Sequence, residues 1–328
     1  MIKALFQEQL NSEQIRCHLC VHRCILNPDN FGVCGVRKNI GGILYSYADE
    51  LIGIVSLDPV EKKPLYHVHP FGKAFSFAGY GCNLHCEWCQ NHKISQNAVN
   101  PGQSYTPEEI VSQAVFSGAD LISATYTEPT IFFEFAHEVN QLARQSGITT
   151  SWVTNGTITP EALEEAKDYL DAVNVDLKGI DNPLLKKLTG VSPDVILENI
   201  KVMIDYGIHV EVTTLLIPGV NDSPSDIDLL IQNLLKIDNN IIWHISAYYP
   251  SWKFTAPPTR ESSIIKAVET AKKAGLKFCY GGNISKNAAT SSTICPQCNF
   301  TLIDRVNHTS RLTNGSCPNC NTKIPGIF

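Results

Sequence analysis

The chain has 328 residues, enough for about two domains of ordinary size. Its residues are 43% hydrophobic and 18% charged, so the chain can bury a sizeable core. The 26 Lys and Arg against 32 Asp and Glu give a net charge of −6, which argues against a protein that binds nucleic acid or an anionic membrane through a basic face. No window approaches the roughly 18 apolar residues of a membrane span, and the first residues lack the apolar core of a signal peptide, so we expect a cytoplasmic protein.

The first segment, residues 1–72, is rich in cysteine, and its cysteines belong to a wider pattern. The chain contains 12 cysteines, and all but Cys279 fall into three groups. These groups are Cys17, Cys20, Cys24 and Cys34, then Cys82, Cys86 and Cys89, then Cys295, Cys298, Cys317 and Cys320. Close spacing lets several thiolates converge on one metal ion or cluster, whereas disulfide partners need no such bunching. We therefore predict metal or iron–sulfur ligation, with Cys279 as a small buried hydrophobe.

The metal of the first group, Cys17 to Cys34, is left open by the sequence. The group could bind zinc, with His18 or His22 as a substitute ligand, or it could hold an auxiliary iron–sulfur cluster.

Residues 73–286 alternate between short apolar runs, typical of buried strands, and longer amphipathic segments, typical of helices. The predicted strands are Phe75–Gly79, Asp120–Tyr126, Thr149–Thr154, Ala172–Leu177, His209–Ile217, Ile241–Ser246 and Lys277–Tyr280. Thr106 and Thr159 each precede a proline and are predicted N-caps. Gly147, Gly207 and Gly275 follow helical segments, where a left-handed cap is favoured. About six β-α units predict an α/β fold, a partial or complete (β/α) TIM-like barrel.

The second cysteine group directly follows the first predicted barrel strand. Cys82, Cys86 and Cys89 are separated by three and by two residues. Three thiolates in one loop can hold three irons of a [4Fe–4S] cluster and leave the fourth iron open, as catalysis requires. The alternative is a zinc site completed by His85 or His92.

Other polar residues lie at or just beyond the predicted carboxyl ends of the strands, on the rim where β/α barrels gather their active sites. They are Cys82, Glu128, Asn155, Asp176, Lys178, His244 and Ser246. Each has a structural explanation when taken alone, since Glu128 could cap a helix and Asp176 with Lys178 could be a surface ion pair. Their joint occurrence on one rim favours an active site.

Residues 287–328 form a tail that is too small to own a core and would need a metal to fold. Its cysteines have the C-x2-C…C-x2-C spacing of a zinc ribbon or rubredoxin-like site, and we favour structural zinc over iron. Its only basic residues, Arg305, Arg311 and Lys323, are too few for a strong phosphate footprint.

The phrase CNLHCEWCQN, residues 82–91, resembles the signature loop of the radical S-adenosylmethionine (SAM) enzymes and especially of pyruvate formate-lyase activating enzyme, with Trp88 in the aromatic position. Further similar phrases follow in the same order: Tyr126–Pro129, Thr154–Gly156, Asp176–Lys178 and Ile217–Asp222. With its Cys-rich start and the CGVR phrase at residues 34–37, the chain most resembles the radical SAM member of the AmmeMemoRadiSam system.

The resemblance implies a [4Fe–4S] cluster at the second cysteine group, where reductive cleavage of SAM gives a 5′-deoxyadenosyl radical that abstracts hydrogen from a substrate. It implies that Glu128 holds the methionyl amine, Asp176 and Lys178 the amine and carboxylate, and Trp88 the adenosine side. It also implies a cosubstrate contact at Asn155 and a low-potential electron donor of the flavodoxin or ferredoxin class. His244 is a further candidate cofactor contact because of its strand-end position, although a histidine there could simply be hydrogen-bonded in place.

The substrate is either a small molecule or peptide served by companion proteins, or a glycine of a partner enzyme, as in glycyl-radical activation. Activating enzymes commonly carry Asp before the Thr-Asn-Gly phrase, associated with a monovalent cation site, whereas this chain has Val153. We therefore favour the first substrate class and do not expect that cation site. An alternative from another class is a non-enzymatic multi-zinc binding protein on the same scaffold.

Overall fold

The computed structural model of the chain describes residues 1–98, 104–180, 189–285 and 287–328, apart from the side chains of residues 49 and 50. The N-terminal strands are β1 Ile2–Lys3, β2 Gln7–Gln9, β3 Ile15–Cys17, β4 Ile25–Leu26, β5 Arg37–Ile40 and β6 Ile43–Ser46. They form two antiparallel three-stranded sheets, with the orders β1-β6-β5 and β2-β3-β4.

The central sheet has eight strands whose spatial order follows the chain. They are β7 Ile52–Pro59, β8 Lys73–Gly79, β9 Leu121–Ala124, β10 Thr149–Thr154, β11 Ala172–Asp176, β12 His209–Leu216, β13 Ile242–Ala247 and β14 Phe278–Gly282. Strands β8 to β14 pair in parallel, which confirms the predicted parallel α/β sheet. Strand β7, which was not predicted, pairs antiparallel with β8 and forms one edge of the sheet, and β14 forms the other.

Helices lie between the parallel strands and pack on the sheet. The α-helices are α1 His92–Ser95, α2 Pro107–Phe116, α3 Phe133–Gln145, α4 Pro160–Ala166, α5 Pro193–Asp205, α6 Pro224–Ile237, α7 Glu261–Ala274 and α8 Ala288–Ser291. Short 3₁₀ helices cover Ala48–Leu51, Val60–Lys62, Pro129–Phe132 and Lys167–Tyr169. Thr106 and Thr159 cap α2 and α4 as predicted, since each side chain accepts a backbone N–H of the first turn. No helix in the described part of the chain is long and apolar enough to cross a membrane.

The inward-facing residues of the sheet lie at two depths. Successive side chains of a strand point to opposite faces, so residues two apart share a face. On β12 and β13, Thr213 and Ser246 line a cavity at the carboxyl end of the sheet. Two positions earlier on the same strands, Glu211 and His244 lie buried in contact with each other. We call the first depth the mouth and the second the base.

The C-terminal tail packs against the base. Its strands, β15 Thr293–Ile294, β16 Thr301–Asp304 and β17 Thr309–Ser310, form a small antiparallel sheet. Arg305 is 1% exposed and donates to the carbonyl of Tyr66. His67 contacts both the carbonyl of Pro325, 2.7 Å from Nδ1, and the hydroxyl of Tyr280, 2.7 Å from Nε2. The tail therefore closes the end of the barrel opposite the cavity.

Candidate active site

A cavity of about 440 Å³ opens at the carboxyl ends of the parallel strands. Its lining brings together nearly all of the residues predicted for the rim. They are Cys82, Cys86, Trp88, Cys89, Glu128, Asn155, Asp176, Lys178 and Ser246. The lining also contains Val153, in the position where the activating-enzyme pattern has Asp.

The cysteine loop leaves β8 through Gly81, whose φ of +96° lies in the left-handed region. A Cβ atom there would lie 2.8 Å from the carbonyl oxygen of Cys34, so this position is restricted to glycine. Within the loop, the Leu84 N–H donates to the sulfur of Cys82 at 3.4 Å. The sulfur of Cys89 lies 3.2 Å from the Ser95 hydroxyl, at the end of α1. The loop thus fixes its sulfurs through short local contacts.

The chemistry of these thiols fits a metal cluster. Burial raises the pKa of Cys82 well above its usual value, and burial also raises that of Cys86. Both thiols therefore keep their protons unless a positive centre lies beside them. In the residues that the structure describes, the tail cysteines are the only group of three or more His, Cys, Asp or Glu donors that all lie within 4.8 Å of one another, so the sulfurs of Cys82, Cys86 and Cys89 do not all lie that close. Such spacing suits a polynuclear cluster.

The zinc alternative has little support in the positions of the two histidines. His85 and His92 are absent from the described lining of the cavity. His85 Nδ1 lies 2.7 Å from the side-chain oxygen of Gln96. The ring of His92 stacks on Trp252 at 5.7 Å. The His85 ring is therefore engaged by Gln96, and the His92 ring by Trp252 and, through Nδ1, by the carbonyl of Cys89 at 3.2 Å.

Glu128 is a lining residue whose buried carboxylate accepts several hydrogen bonds. It is 2% exposed and caps the Pro129–Phe132 helix, so its structural explanation is correct as well. Its Oε1 accepts from the N–H of Thr130 at 3.0 Å and from the hydroxyl of Thr154 at 2.7 Å. Its Oε2 accepts from the Asn155 N–H at 2.7 Å. Burial raises the pKa of Glu128, although these hydrogen bonds oppose the shift.

Asn155 joins the strand end to the cysteine loop. Its side-chain amide donates to the side-chain oxygen of Asn83 at 2.9 Å, and its own oxygen accepts from the Thr157 hydroxyl at 2.6 Å. Because Asn83 follows Cys82 directly, this contact holds the loop against the end of β10.

Asp176 and Lys178 form an ion pair at the end of β11, with Nζ and Oδ2 3.1 Å apart. Burial alone would lower the pKa of Lys178, but the Asp176 carboxylate raises it above its usual value. Lys178 is therefore a fixed cation that faces the cysteine loop, with a carboxylate beside it.

The expected rim position of His244 is corrected by the structure. His244 is 2% exposed and lies in the base, where its Nε2 is 2.5 Å from Oε2 of Glu211. It is absent from the described lining of the cavity, whereas Ser246, two positions later, is part of it. The sequence pattern identifies the face of the sheet but not the depth along the strand.

Tyr126 is a cavity residue whose contacts the sequence did not indicate. Its φ of +64° is unusual for a bulky residue, so its surroundings must hold it. Its hydroxyl donates to Asp58 at 2.7 Å, and the Lys63 ammonium lies 4.4 Å from the ring centroid. Asp58 and Lys63 come from β7 and its following turn, an element that was not predicted. No signal in the sequence links them to Tyr126.

The tail cysteines form a separate compact group. The sulfurs of Cys295 and Cys320 are 3.5 Å apart, and those of Cys298 and Cys317 are 3.6 Å apart. A zinc–sulfur bond of about 2.3 Å implies about 3.8 Å between the sulfurs of a tetrahedral site. The four residues can therefore hold a single metal ion.

The N-terminal cysteines line another, smaller cavity. It contains Cys17, Cys20, Cys24 and Cys34. The proposed substitute ligands are engaged elsewhere, since His18 Nε2 lies 2.8 Å from Glu8 and His22 Nε2 lies 2.8 Å from the carbonyl of Asn83.

Comparison with known proteins identifies a matching family and several similar sequences. The model of the radical SAM superfamily matches residues 77–231. The uncharacterized protein MJ0808 of Methanocaldococcus jannaschii is 35% identical, over 99% of each chain. The pyruvate formate-lyase-activating enzyme of Staphylococcus epidermidis is 23% identical, over 60% of this chain and 85% of its own.

Two further comparisons concern an activating enzyme and a solved fold. The (2S)-3-sulfopropanediol sulfolyase activating enzyme of Bilophila wadsworthia is 25% identical, over 52% of this chain and 77% of its own. A radical SAM methyltransferase from Sphaerobacter thermophilus has a similar fold, with a TM-score of 0.52 and 14% identity over 69% of this chain and 71% of its own. The chain belongs to the radical SAM superfamily and is an enzyme of that class.

Proposed function

We propose that Cys82, Cys86 and Cys89 hold a [4Fe–4S] cluster with one iron left for SAM, and that the enzyme abstracts hydrogen from a small molecule or a peptide. One observation carries the proposal: the three cysteines line one cavity with Glu128 and the Asp176–Lys178 pair. When bound, the cluster supplies the electron that cleaves SAM into methionine and a 5′-deoxyadenosyl radical. Membership of this family also removes the alternative of a non-enzymatic multi-zinc protein.

The residues of the lining divide the work of holding the cosubstrate. Lys178 offers a fixed cation for the methionyl carboxylate, and Asp176 offers a carboxylate for the amine. Glu128 offers a second carboxylate, which its donors on β10 and at Thr130 hold in place. Trp88 packs edge-on against Phe254, with centroids 5.9 Å apart, and offers an apolar wall on the adenosine side. These groups bind and orient, and they exclude water from the reacting atoms.

A low-potential protein of the flavodoxin or ferredoxin class would supply the electron in the cell. Its identity can be tested by replacing dithionite with candidate donors in the assay described next.

The test uses the full chain, purified without oxygen and supplied with dithionite and SAM. We expect 5′-deoxyadenosine from the wild-type enzyme and none from Cys86→Ala. Cys279→Ala is the matched control, because Cys279 is a fully buried cysteine of β14 outside the three groups, and it should form the product normally. No product from the wild-type enzyme, or equal product from Cys86→Ala, would contradict the proposal.

Glycyl-radical activation is the second candidate, and the names of the two activating-enzyme relatives favour it. Those relatives match 52% and 60% of this chain, so both leave much of it unmatched. Val153 lines the cavity at the position where the activating-enzyme pattern has Asp, and this favours the first candidate. The decisive measurement is an EPR doublet of a glycyl radical on a candidate partner enzyme after incubation with SAM and reductant. A doublet that depends on Cys86 would replace our first substrate class with the second.

We also propose that the tail holds structural zinc. The sulfur separations of 3.5 and 3.6 Å support a single tetrahedral ion. Metal analysis should find about one zinc per chain in Cys86→Ala and none in a Cys295→Ser/Cys317→Ser variant. Iron in place of zinc at this site would contradict the assignment.

A further inference from the structure

The N-terminal cysteines meet in a small enclosed cavity that the proposed reaction does not use. Besides the four cysteines, its wall is largely apolar. The other lining residues are Leu19, Leu26, Gly32, Val33, Arg37, Asn83 and Ile131. A Cβ atom added at Gly32 would lie 3.7 Å from the sulfurs of both Cys24 and Cys34, so these two thiols approach the same point from two loops. Cys17 at the end of β3, Cys20 and Cys24 before β4, and Cys34 before β5 thus line one enclosed space.

The spacing of these sulfurs differs from that of the tail. Among the described residues, the tail cysteines are the only group with at least three such donor atoms all within 4.8 Å of one another. No three sulfurs of Cys17, Cys20, Cys24 and Cys34 are therefore as close as a tetrahedral zinc ion needs. The same is true of Cys82, Cys86 and Cys89. A cluster bridges thiolates at greater separations than one ion does, because its irons and sulfides lie between them.

Arg37 supplies a second, independent indication of a bound anion. Its side chain is 1% exposed and lines the cavity. One terminal nitrogen donates to the carbonyl of Leu5 at 3.0 Å, and the other pairs with Glu134. Its Nε–H has no acceptor among the residues that the structure describes. An unpaired buried donor of this kind is costly, and a thiolate-bound cluster with net negative charge would provide the missing acceptor.

The cavity lies directly behind the loop of the SAM site. Asn83, which follows Cys82, lines this cavity and also accepts a hydrogen bond from Asn155 at 2.9 Å. The bridge between Cys20 and Ile158 holds the N-terminal segment against the chain that follows Asn155. The two cysteine groups are therefore neighbours that share one asparagine.

We propose that Cys17, Cys20, Cys24 and Cys34 bind a second [4Fe–4S] cluster, closed by four protein thiolates. Because all four irons then have a cysteine ligand, this cluster has no open position for SAM. The proposal is independent of SAM cleavage.

The first test removes the SAM-site ligands from the full chain, as Cys82→Ala/Cys86→Ala/Cys89→Ala, and measures iron, acid-labile sulfide and zinc after anaerobic reconstitution. We expect about four irons and about four sulfides per chain to remain. Their reduced EPR signal should not change when SAM is added. A loss of all iron, with or without a second zinc, would overturn the proposal, as would a signal that SAM alters.

The second test removes the other group, as Cys24→Ala/Cys34→Ala, with Cys279→Ala as the control. Iron should fall from about eight per chain in the wild type to about four, and the remaining EPR signal should respond to SAM. If a variant does not fold, the iron content of the wild-type chain is the test. About four irons per fully reconstituted wild-type chain would overturn the second cluster. Failure to form 5′-deoxyadenosine with about eight irons present would instead contradict the proposed function alone.

Discussion

The mouth and the base of the barrel each bury a glutamate with several hydrogen-bond partners, and the two glutamates differ in the chemical type of those partners. At the mouth, Glu128 accepts from neutral amides and hydroxyls, and burial raises its pKa. At the base, Glu211 is 0% exposed and accepts from two backbone amides, but it also contacts His209 at 3.2 Å and His244 at 2.5 Å. Burial would raise the pKa of Glu211, yet the two histidines hold it well below its usual value. The partners of a buried carboxylate, rather than its depth, therefore set its charge.

This difference indicates that the residues of the mouth bind ligand and that the residues of the base stabilise the fold. The mouth leaves room beside Glu128 for a ligand, whereas the base is a network whose groups partner one another. We expect substitutions at the base to change the free energy of unfolding and substitutions at the mouth to change SAM binding.

The largest expected effect is that of Glu211→Ala. It leaves the backbone amides of Tyr66 and His67 and the two histidines without their acceptor. Removing one partner of a buried charged network costs about 3–5 kcal/mol. Denaturant unfolding of the anaerobic protein measures this loss, and Glu211→Gln, which keeps an acceptor oxygen, should lose less. A loss below about 1 kcal/mol for Glu211→Ala would show that the base is not a stabilising network.

Lys178→Met should weaken SAM binding by about 10- to 100-fold, or about 1.4–2.7 kcal/mol, because it removes the fixed cation beside Asp176. Equilibrium dialysis with the reconstituted protein measures the change. Lys62→Met is the matched control, since Lys62 lines the same cavity but its side chain is 65% exposed. His244→Asn, in the base, should leave the affinity within about twofold. Equal losses in Lys178→Met and His244→Asn would break the distinction between mouth and base.

The pH dependence of stability tests the base of the barrel through His67, which donates its backbone N–H to Glu211. Burial lowers the pKa of His67 from 6.5 to about 3. Below pH 6.5, His67 is therefore protonated in the unfolded chain but stays neutral in the folded chain. Stability therefore falls as the pH falls from 6.5 toward 3. Between pH 6.5 and about pH 5 the loss is about 1.5 kcal/mol. Unfolding curves of the wild type and of His67→Asn should converge over this range, and parallel curves would contradict the assignment.

Thr106→Ala should have the smallest effect, about 1 kcal/mol, because it removes the capping box of α2 and touches neither depth of the barrel. Thermal unfolding measures the loss, and SAM affinity should be unchanged. A change in SAM affinity would mean that a surface helix is coupled to the mouth.

Much of the barrel was predictable because its parallel strands are buried on both faces and read as apolar runs. Each of the seven predicted strands is found, with its ends within two residues of the expected ones. The edge strand β7 was missed because its residues are mostly half-buried or exposed, so its pattern is weak. Its pairing with β8 also depends on the path of the chain between Pro59 and Lys73, and no sequence pattern predicts that path.

The site, like the fold, has residues that the sequence predicted and residues that it did not. The cysteines, Glu128, Asp176 and Lys178 were predictable because they follow strand ends, and strand ends meet on one rim. His244 was misplaced because a period of two fixes the face of a strand and not the depth. The contacts of His67 with Tyr280 and of Arg305 with Tyr66 join positions more than 200 residues apart in the chain, and no local pattern indicates such contacts.

The two-residue offset between mouth and base has a consequence for how such a protein can evolve. Thr213, Leu215 and Ser246 line the cavity, while Glu211 on β12 is held by Tyr66 and His67 of the β7–β8 connection, which the tail contacts in turn. Selection for a new substrate can therefore act on these cavity-facing side chains without removing a hydrogen bond of the base. A mutant library confined to these three positions should retain folded members at a high rate, which makes this face a natural place to begin redesigning the enzyme.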